Sequence, residues 1–364
     1  MPKKIKKAVI RPHAEELFKK ELDVLIKADD RPRPENWRMS PWAVVTYLVG
    51  GKLDNGTEIT PKYIGPRRLM ELAVASLATD RALLLLGVPG TAKTWVSEHL
   101  SAAISGDSTL LIQGTSGMTD ESLRYGWNYA ELIANGPSEK ALVPSPVMKA
   151  MEDGKMVRVE ELTRIPSEVQ DALITVLSEK TLPVPELNRE IQAIRGFNLI
   201  ATANTRDRGV NELSAALRRR FNTVVLPLPE NIETEVQIVE QRVHQFATDW
   251  GMDMTGVPAK EIRRLVTVFR ELRSGKTVDG QTQIKSPGSN LSTAEAIDVV
   301  TSAMSMAGHF SDGELKADDL AGPLLSAVVQ DEENDMVPWK EYLESVVRKR
   351  EDWLDLYRAS KEIL

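Results

Sequence analysis

Residues 82–94, Ala-Leu-Leu-Leu-Leu-Gly-Val-Pro-Gly-Thr-Ala-Lys-Thr, constrain this chain more than any other stretch. An apolar run ends in a Gly/Pro turn, Lys93-Thr94 follows, and Val96, Leu100, Ala103 and Ile104 then recur at helical spacing. The pattern predicts a buried strand, a glycine-rich turn and a helix N-terminus in immediate succession. The N–H groups of such a turn point at phosphate oxygens, and the helix dipole favours the anion. Gly87, Val88, Pro89, Gly90, Thr91 and Ala92 are expected to wrap the phosphates. Lys93 would reach the β- and γ-phosphates, the Thr94 hydroxyl would face Mg2+, and Trp95 opens the helix. One position departs from G-x-x-x-x-G-K-[ST]: Ala92 stands where the glycine before the lysine is usual. An ordinary turn with a surface lysine does not account for strand, loop, Lys-Thr and helix occurring together.

With 364 residues the chain has room for about two domains. A net charge of −7 argues against a nucleic-acid-coating protein. The absence of cysteine excludes disulfides, thiolate metal sites and thiol catalysis. His13, His99, His244 and His309 are too scattered to suggest a zinc site. No apolar run approaches about 18 residues, so no membrane insertion is expected. The basic start, Met1-Pro-Lys-Lys-Ile-Lys-Lys, lacks the apolar core of a signal peptide, which makes the cytoplasm the expected location.

Residues 1–60 read as a small helical extension. Ala14–Ala28 is amphipathic, and Pro41–Val49 is a second apolar stretch ended by Gly50-Gly51. The extension is expected to pack on the core or on a neighbouring subunit. Tyr63-Ile64-Gly65 introduces a helix over residues 67–79, and Tyr63 and Ile64 are assigned to the nucleotide site. Further strands are expected at 108–113, 156–159, 198–202 and 223–228, with helices at 143–152, 167–179 and 213–219 between them. Residues 181–194 suggest a β-hairpin, and residues 114–140 form a polar segment carrying Tyr125, Trp127 and Tyr129. Strands alternating with helices indicate a parallel α/β sheet over residues 61–229. From residue 230 to 364 only helical patterns remain, at about 232–250, 258–273, 292–307, 317–330 and 338–362.

In an open parallel sheet, ligands bind at the carboxyl ends of the strands. Glu160 and Glu161 stand at such an end, after Val157-Arg158-Val159. Glu160 would hold the water shell of Mg2+, and Glu161 would polarise the water that attacks the γ-phosphate of ATP. Asn204, closing the next strand, would orient that water. Arg218-Arg219-Arg220 is either a solvated charge run or a source of a guanidinium for a neighbouring subunit's γ-phosphate.

These segments together resemble the AAA+ ATPases, and within them the MoxR family. The resemblance spans about residues 60–330. It rests on Gly87–Thr94, on Val159-Glu-Glu-Leu-Thr-Arg-Ile-Pro166 running into Glu168-Val-Gln-Asp-Ala-Leu173, on Ala201-Thr-Ala-Asn204 and on Ala216-Leu-Arg-Arg-Arg-Phe221. It implies an AAA+ P-loop core, with a five-stranded parallel sheet flanked by helices, an all-helical C-terminal lid and an ATP- and Mg2+-dependent hydrolysis. It further implies a homo-hexameric ring with Arg220, or else Arg218, acting across the subunit interface. Its inserts match residues 114–140 and 181–195 and commonly face the ring pore or a substrate. Relatives remodel or mature client proteins, often with a von Willebrand factor A domain protein. Two departures stand out. The family's acidic motif is usually Asp-Glu, where this chain has Glu160-Glu161. The Ser-Pro-Arg-Ala start of the lid helix is replaced by Leu291-Ser-Thr-Ala-Glu-Ala296, leaving Arg263 and Arg264 as candidates for the nucleotide-sensing arginine. These departures keep a low-turnover switch or scaffold as an alternative to the chaperone. A DNA-directed motor is a third reading, disfavoured by the acidic net charge.

Overall fold

A computed structural model describes residues 9–205, 211–250 and 257–364. The basic start at residues 1–8 lies outside the described residues. The chain divides into two compact units, Met1–Val88 with Ala92–Leu226, and Pro89–Thr91 with Pro227–Leu364.

The first unit is built on a five-stranded sheet: β1 (Ala82–Gly87), β2 (Leu111–Gln113), β3 (Met156–Glu160), β4 (Asn198–Asn204) and β5 (Phe221–Val225). The spatial order is β5-β1-β4-β3-β2 and every pairing is parallel. Parallel strands carry helices on both faces, so β1 can be apolar throughout. Alternate residues go to opposite sides. Leu83 and Leu85 join one core with Met156, Ile200 and Val224. Ala82 and Leu84 join the other with Val157, Val159, Leu199 and Ala201.

The helix after the phosphate loop, α1 (Lys93–Ser105), lies on the first of these faces with Val96, Leu100, Ala103 and Ile104. The N-terminal extension covers the same face: Leu22, Leu25, Met39, Tyr47 and Leu48 belong to that core. The extension also supplies partners to polar side chains of α1. Glu98 accepts from Arg11 (2.8 Å) and from the Ala14 amide (3.2 Å). Tyr47 Oη lies 2.8 Å from His99 Nδ1, and the Trp95 indole donates to Lys62 O at 2.8 Å. Of the two expected placements, core and neighbouring subunit, the first is observed.

Several expected elements are divided. The helix expected over 143–152 begins only at Pro146, capped by Ser145, because Leu142–Pro144 pairs antiparallel with Tyr125–Trp127. The helix expected over 167–179 is two, Ser167–Gln170 and Ala172–Ser178. Ala14–Ala28 breaks at Phe18. The hairpin pairs Thr181–Val184 with Arg189–Gln192 as expected.

The second unit is helical over Ile232–Trp250, Ala259–Ser274, Thr293–Phe310, Ala317–Val328, Glu332–Ser345 and Leu354–Glu362. The expected terminal helix of 338–362 is broken after Ser345, where Val346 leaves helical geometry and two short 3-10 turns intervene. Buried carboxylates tie the helices together. Glu235 accepts from Arg270 (2.9 Å), Arg273 (3.0 Å) and Thr293 (2.9 Å). Glu271 accepts from Tyr342 (2.7 Å), Arg350 (2.6 Å) and the Val278 amide (2.9 Å). Buried charges are tolerated when paired and fully hydrogen-bonded in this way. No helix of the described residues is long and apolar enough to cross a membrane.

Candidate active site

Three neighbouring strands, β1, β4 and β3, end side by side and bring the expected residues together. Asn204 is in register with Gly87, the first residue of the phosphate loop. Ala201 is in register with Val159, which sets Thr202 beside Glu160. Within the loop, Gly90 (φ 78°) and Ala92 (φ 62°) take left-handed backbone conformations. Such residues turn successive N–H groups to one side, the geometry of an anion nest. Ala92 is also the residue that caps α1, so the position departing from the glycine motif adopts the glycine-like conformation. The Lys93 ammonium is largely buried and donates to Gly87 O (3.0 Å) and Val88 O (2.9 Å), which holds it over the loop that it serves.

Glu160 is 1% exposed and each carboxylate oxygen is held separately. Oε2 accepts from Thr94 Oγ1 (3.0 Å) and Thr202 Oγ1 (2.6 Å). Oε1 accepts from Arg158 (3.0 Å) and from the Ser97 hydroxyl. The Thr94 hydroxyl and the Glu160 carboxylate thus form a pair of hard oxygen donors beside the loop. That donor chemistry fits Mg2+, which binds oxygen ligands and keeps several of its waters in phosphate sites. Thr94 and Glu160 are the residues that would hold it, and it would supply charge neutralisation at the phosphates.

Glu161 leaves β3 in a left-handed conformation (φ 53°), which is costly for a residue with a side chain and is recurrent at functional sites. Two contacts hold it there. Its amide donates to Thr202 Oγ1 (3.1 Å), and Gly114 packs so closely that a Cβ at residue 114 would come within 2.4 Å of Glu161 O. Its carboxylate pairs with Arg164 at 2.6 Å.

Tyr63 is buried in the core beneath α1, and burial pushes its phenol up to about 12. Ile64 is half-buried beside it, and the Trp95 side chain faces the extension. The arginine run lies elsewhere. Arg220 directly precedes β5, whose first residue is paired with Ala82, the first residue of β1. The phosphate loop leaves the other end of β1, about 16 Å away at 3.3 Å per residue. The Arg220 guanidinium donates to Ser178 Oγ and Ala216 O, while Arg218 and Arg219 are exposed. Arg264 is buried, donating to Glu261 and Asp355 at 3.1 Å, and Arg263 pairs with Glu233 at 3.0 Å. Both side chains are thus engaged by neighbouring carboxylates.

Thr202, Ser97, Arg158, Gly114 and Arg164 were given no role at the site by the sequence expectation. Arg158 carried the clearest signal, a charge inside an otherwise apolar strand and two residues before Glu160, hence on the same face.

Residues 82–221 match the family model described as AAA domain (dynein-related subfamily), and residues 233–361 match the one described as YehL-like AAA+ ATPase C-terminal domain. The chain is 39% identical over 355 residues to the uncharacterised protein YehL of Escherichia coli (strain K12), covering 96% of both chains. It is 29% identical over 153 residues to midasin of Dictyostelium discoideum, covering 41% of this chain and 2% of that protein. An uncharacterised protein of Staphylococcus aureus (strain USA300) is 29% identical over 150 residues, 41% of this chain and 56% of its own. Among solved structures, NtrX of Brucella abortus in complex with ATP is similar at a TM-score of 0.48 and 14% identity, covering 81% of this chain and 67% of that one. The sheet, the phosphate loop, the acidic pair and the match over nearly its full length to YehL place this chain in the YehL-like family of AAA+ ATPases.

Proposed function

We propose that this chain hydrolyses ATP as a MoxR-like AAA+ chaperone, assembled as a hexameric ring that remodels or matures a partner protein. The observation that carries the reading is the meeting of Lys93, Thr94, Glu160, Glu161 and Asn204 at one edge of the sheet. Lys93 and the loop amides bind the phosphates, Thr94 and Glu160 face the metal, and Glu161 and Asn204 orient and polarise the attacking water. Arg220 and Arg218 lie at the opposite edge of the sheet from the chain's own phosphate loop, which supports their acting on a neighbour's nucleotide. A client-facing role for the first insert is supported by Tyr129 and Ile133, one turn apart on the helix Tyr129–Asn135 and both strongly exposed. The second insert is tied to the first by Tyr125 to Glu186 (2.8 Å) and Arg189 to Glu139 (2.7 Å). The proposed partner is a von Willebrand factor A domain protein, and the site of action the cytoplasm. Stimulation of turnover by such a protein encoded beside this chain checks the pairing.

Two inactive variants test the ring. Glu161→Gln and Arg220→Ala should each lack turnover alone. Mixed in equal amounts, they should recover roughly a quarter of wild-type phosphate release, since one head-to-tail interface in four would combine an intact Glu161 with a neighbour's intact Arg220. No recovery, with both variants assembling normally, sinks the trans-acting arginine.

The Glu161–Arg164 pair favours a second reading, a low-turnover switch, because it occupies the carboxylate that must face water. Steady-state phosphate release by Arg164→Met decides it: a several-fold rise over wild type supports the switch, and no rise rejects it.

A further inference from the structure

Arg158 is charged, 3% exposed and set in the middle of β3, a strand whose five residues are all buried. Removing a guanidinium from water is costly unless every donor finds a partner. Here they do. Nη2 donates to Glu160 Oε1 (3.0 Å) and Thr94 O (3.3 Å), Nε to Ser97 Oγ (3.2 Å), and Nη1 to Ser108 O (3.1 Å). Ser97 in turn donates to the same Glu160 oxygen. One guanidinium therefore spans the first turn of α1, the segment entering β2 and the acidic residue at the end of β3.

The arrangement divides the Glu160 carboxylate. Oε1 is taken by Arg158 and Ser97. Oε2 is left facing the Thr94 hydroxyl and Thr202. Glutamate is longer than the aspartate usual in the resembling family by one methylene, about 1.5 Å. A longer side chain has one more rotatable bond and needs a second anchor to keep an oxygen at a metal-facing position. We infer that Arg158, acting with Ser97, is a positioning residue that fixes Glu160 so that Oε2 faces Thr94, fitting a glutamate to the role of the shorter acid. The inference rests on the reading of this site as one for magnesium and ATP. One consequence runs against intuition. Glu160→Asp retreats from either the Arg158–Ser97 anchor or Thr94, so installing the family's usual residue weakens the site.

The test uses the full chain and a fluorescent ADP analogue, titrated first in EDTA and then against MgCl2. Wild-type affinity should tighten as Mg2+ is added. In Arg158→Met the metal-free affinity should stay within about twofold of wild type. The Mg2+ concentration giving half of the tightening should rise about tenfold, the scale of losing an outer-shell partner. Arg158→Lys keeps the charge and reaches Glu160, but not Ser97 and Ser108 as well, so it should recover part of that shift. Ser97→Ala removes one hydroxyl without leaving a charge unpaired, and should raise the half-point about threefold even where Arg158→Met fails to fold. Glu160→Asp should raise it too. The assignment is overturned if the half-point in folded Arg158→Met and in Ser97→Ala stays within twofold of wild type, or if metal-free affinity falls in step with it. A wild-type protein whose nucleotide binding ignores Mg2+ overturns the reading of the site itself, a result distinct from unshifted variants in a responsive protein.

Discussion

Thr202 is the residue on which the acidic pair depends most. Its hydroxyl accepts from the Glu161 amide (3.1 Å) and donates to Glu160 Oε2 (2.6 Å), so Thr202→Val, nearly equal in shape, removes both bonds and adds none. The donation to a buried carboxylate is worth about 1.5–3 kcal/mol, and leaving the Glu161 N–H without a partner costs about 1 kcal/mol more. The sum, about 2.5–4 kcal/mol, is a large share of a domain's total stability. With a urea slope of about 2–3 kcal/mol/M the unfolding midpoint should fall by roughly 1 M or more. Glu161 is held in its left-handed conformation partly by this bond. Turnover should therefore drop about tenfold or more, with KM for ATP changing less than the rate. Thr202→Ser keeps the hydroxyl and should restore most of both quantities. Urea titration and phosphate release on the three proteins suffice. A Thr202→Val protein with wild-type midpoint and wild-type turnover would refute the reasoning, because the variant lacks both bonds.

Other expectations follow from single observations. Ala92→Gly relieves a left-handed alanine but frees the unfolded chain, so stability should change by less than about 1 kcal/mol and nucleotide affinity should hold or tighten in a binding titration. Lys62 is buried against Phe18, Tyr47 and Glu21, and burial lowers it from its ordinary value of 10.5 to about 8, the Glu21 contact opposing. The folded state therefore binds fewer protons than the unfolded state between pH 8 and 10.5, and this group's penalty, present in full below pH 8, fades as pH rises through that window. Measured by urea midpoints, the wild type should gain on Lys62→Met by up to about 3 kcal/mol between pH 7.5 and 10.5. Glu98→Ala removes the acceptor for Arg11 and the Ala14 amide, and should release the first helix of the extension, seen as faster amide exchange at residues 14–17, while Lys93 continues to bind nucleotide.

How much of this was legible in the sequence depended on how local each signal was. The phosphate loop, the acidic pair and Asn204 are short segments whose chemistry is written in consecutive residues, and the alternation of apolar strands with helices was enough for a parallel sheet. Val143 and Pro144, in the strand Leu142–Pro144, read as the start of a helix because the partner strand, Tyr125–Trp127, lies across an insert and no local pattern announces the pairing. The break at Val346 was hidden by apolar residues that keep helical spacing on both sides. Within the site, the Glu160 carboxylate meets Thr202, Ser97 and Thr94, residues 42, 63 and 66 positions away, and only the parallel register of β3 and β4 and the packing of α1 bring them together. The extension shows the same limit. Its amphipathic helices were readable, but not that Glu98, His99 and Trp95 of α1 are the groups it covers.

The central claim is that the edge of the sheet holding Lys93 and Glu161 binds ATP and hydrolyses it. The most direct measurement compares ATP-analogue binding and steady-state phosphate release in wild type, Lys93→Ala and Glu161→Gln. Lys93→Ala should lose binding, whereas Glu161→Gln should bind as tightly as wild type and turn over at least about a hundredfold more slowly. Undiminished phosphate release by Glu161→Gln would contradict the account.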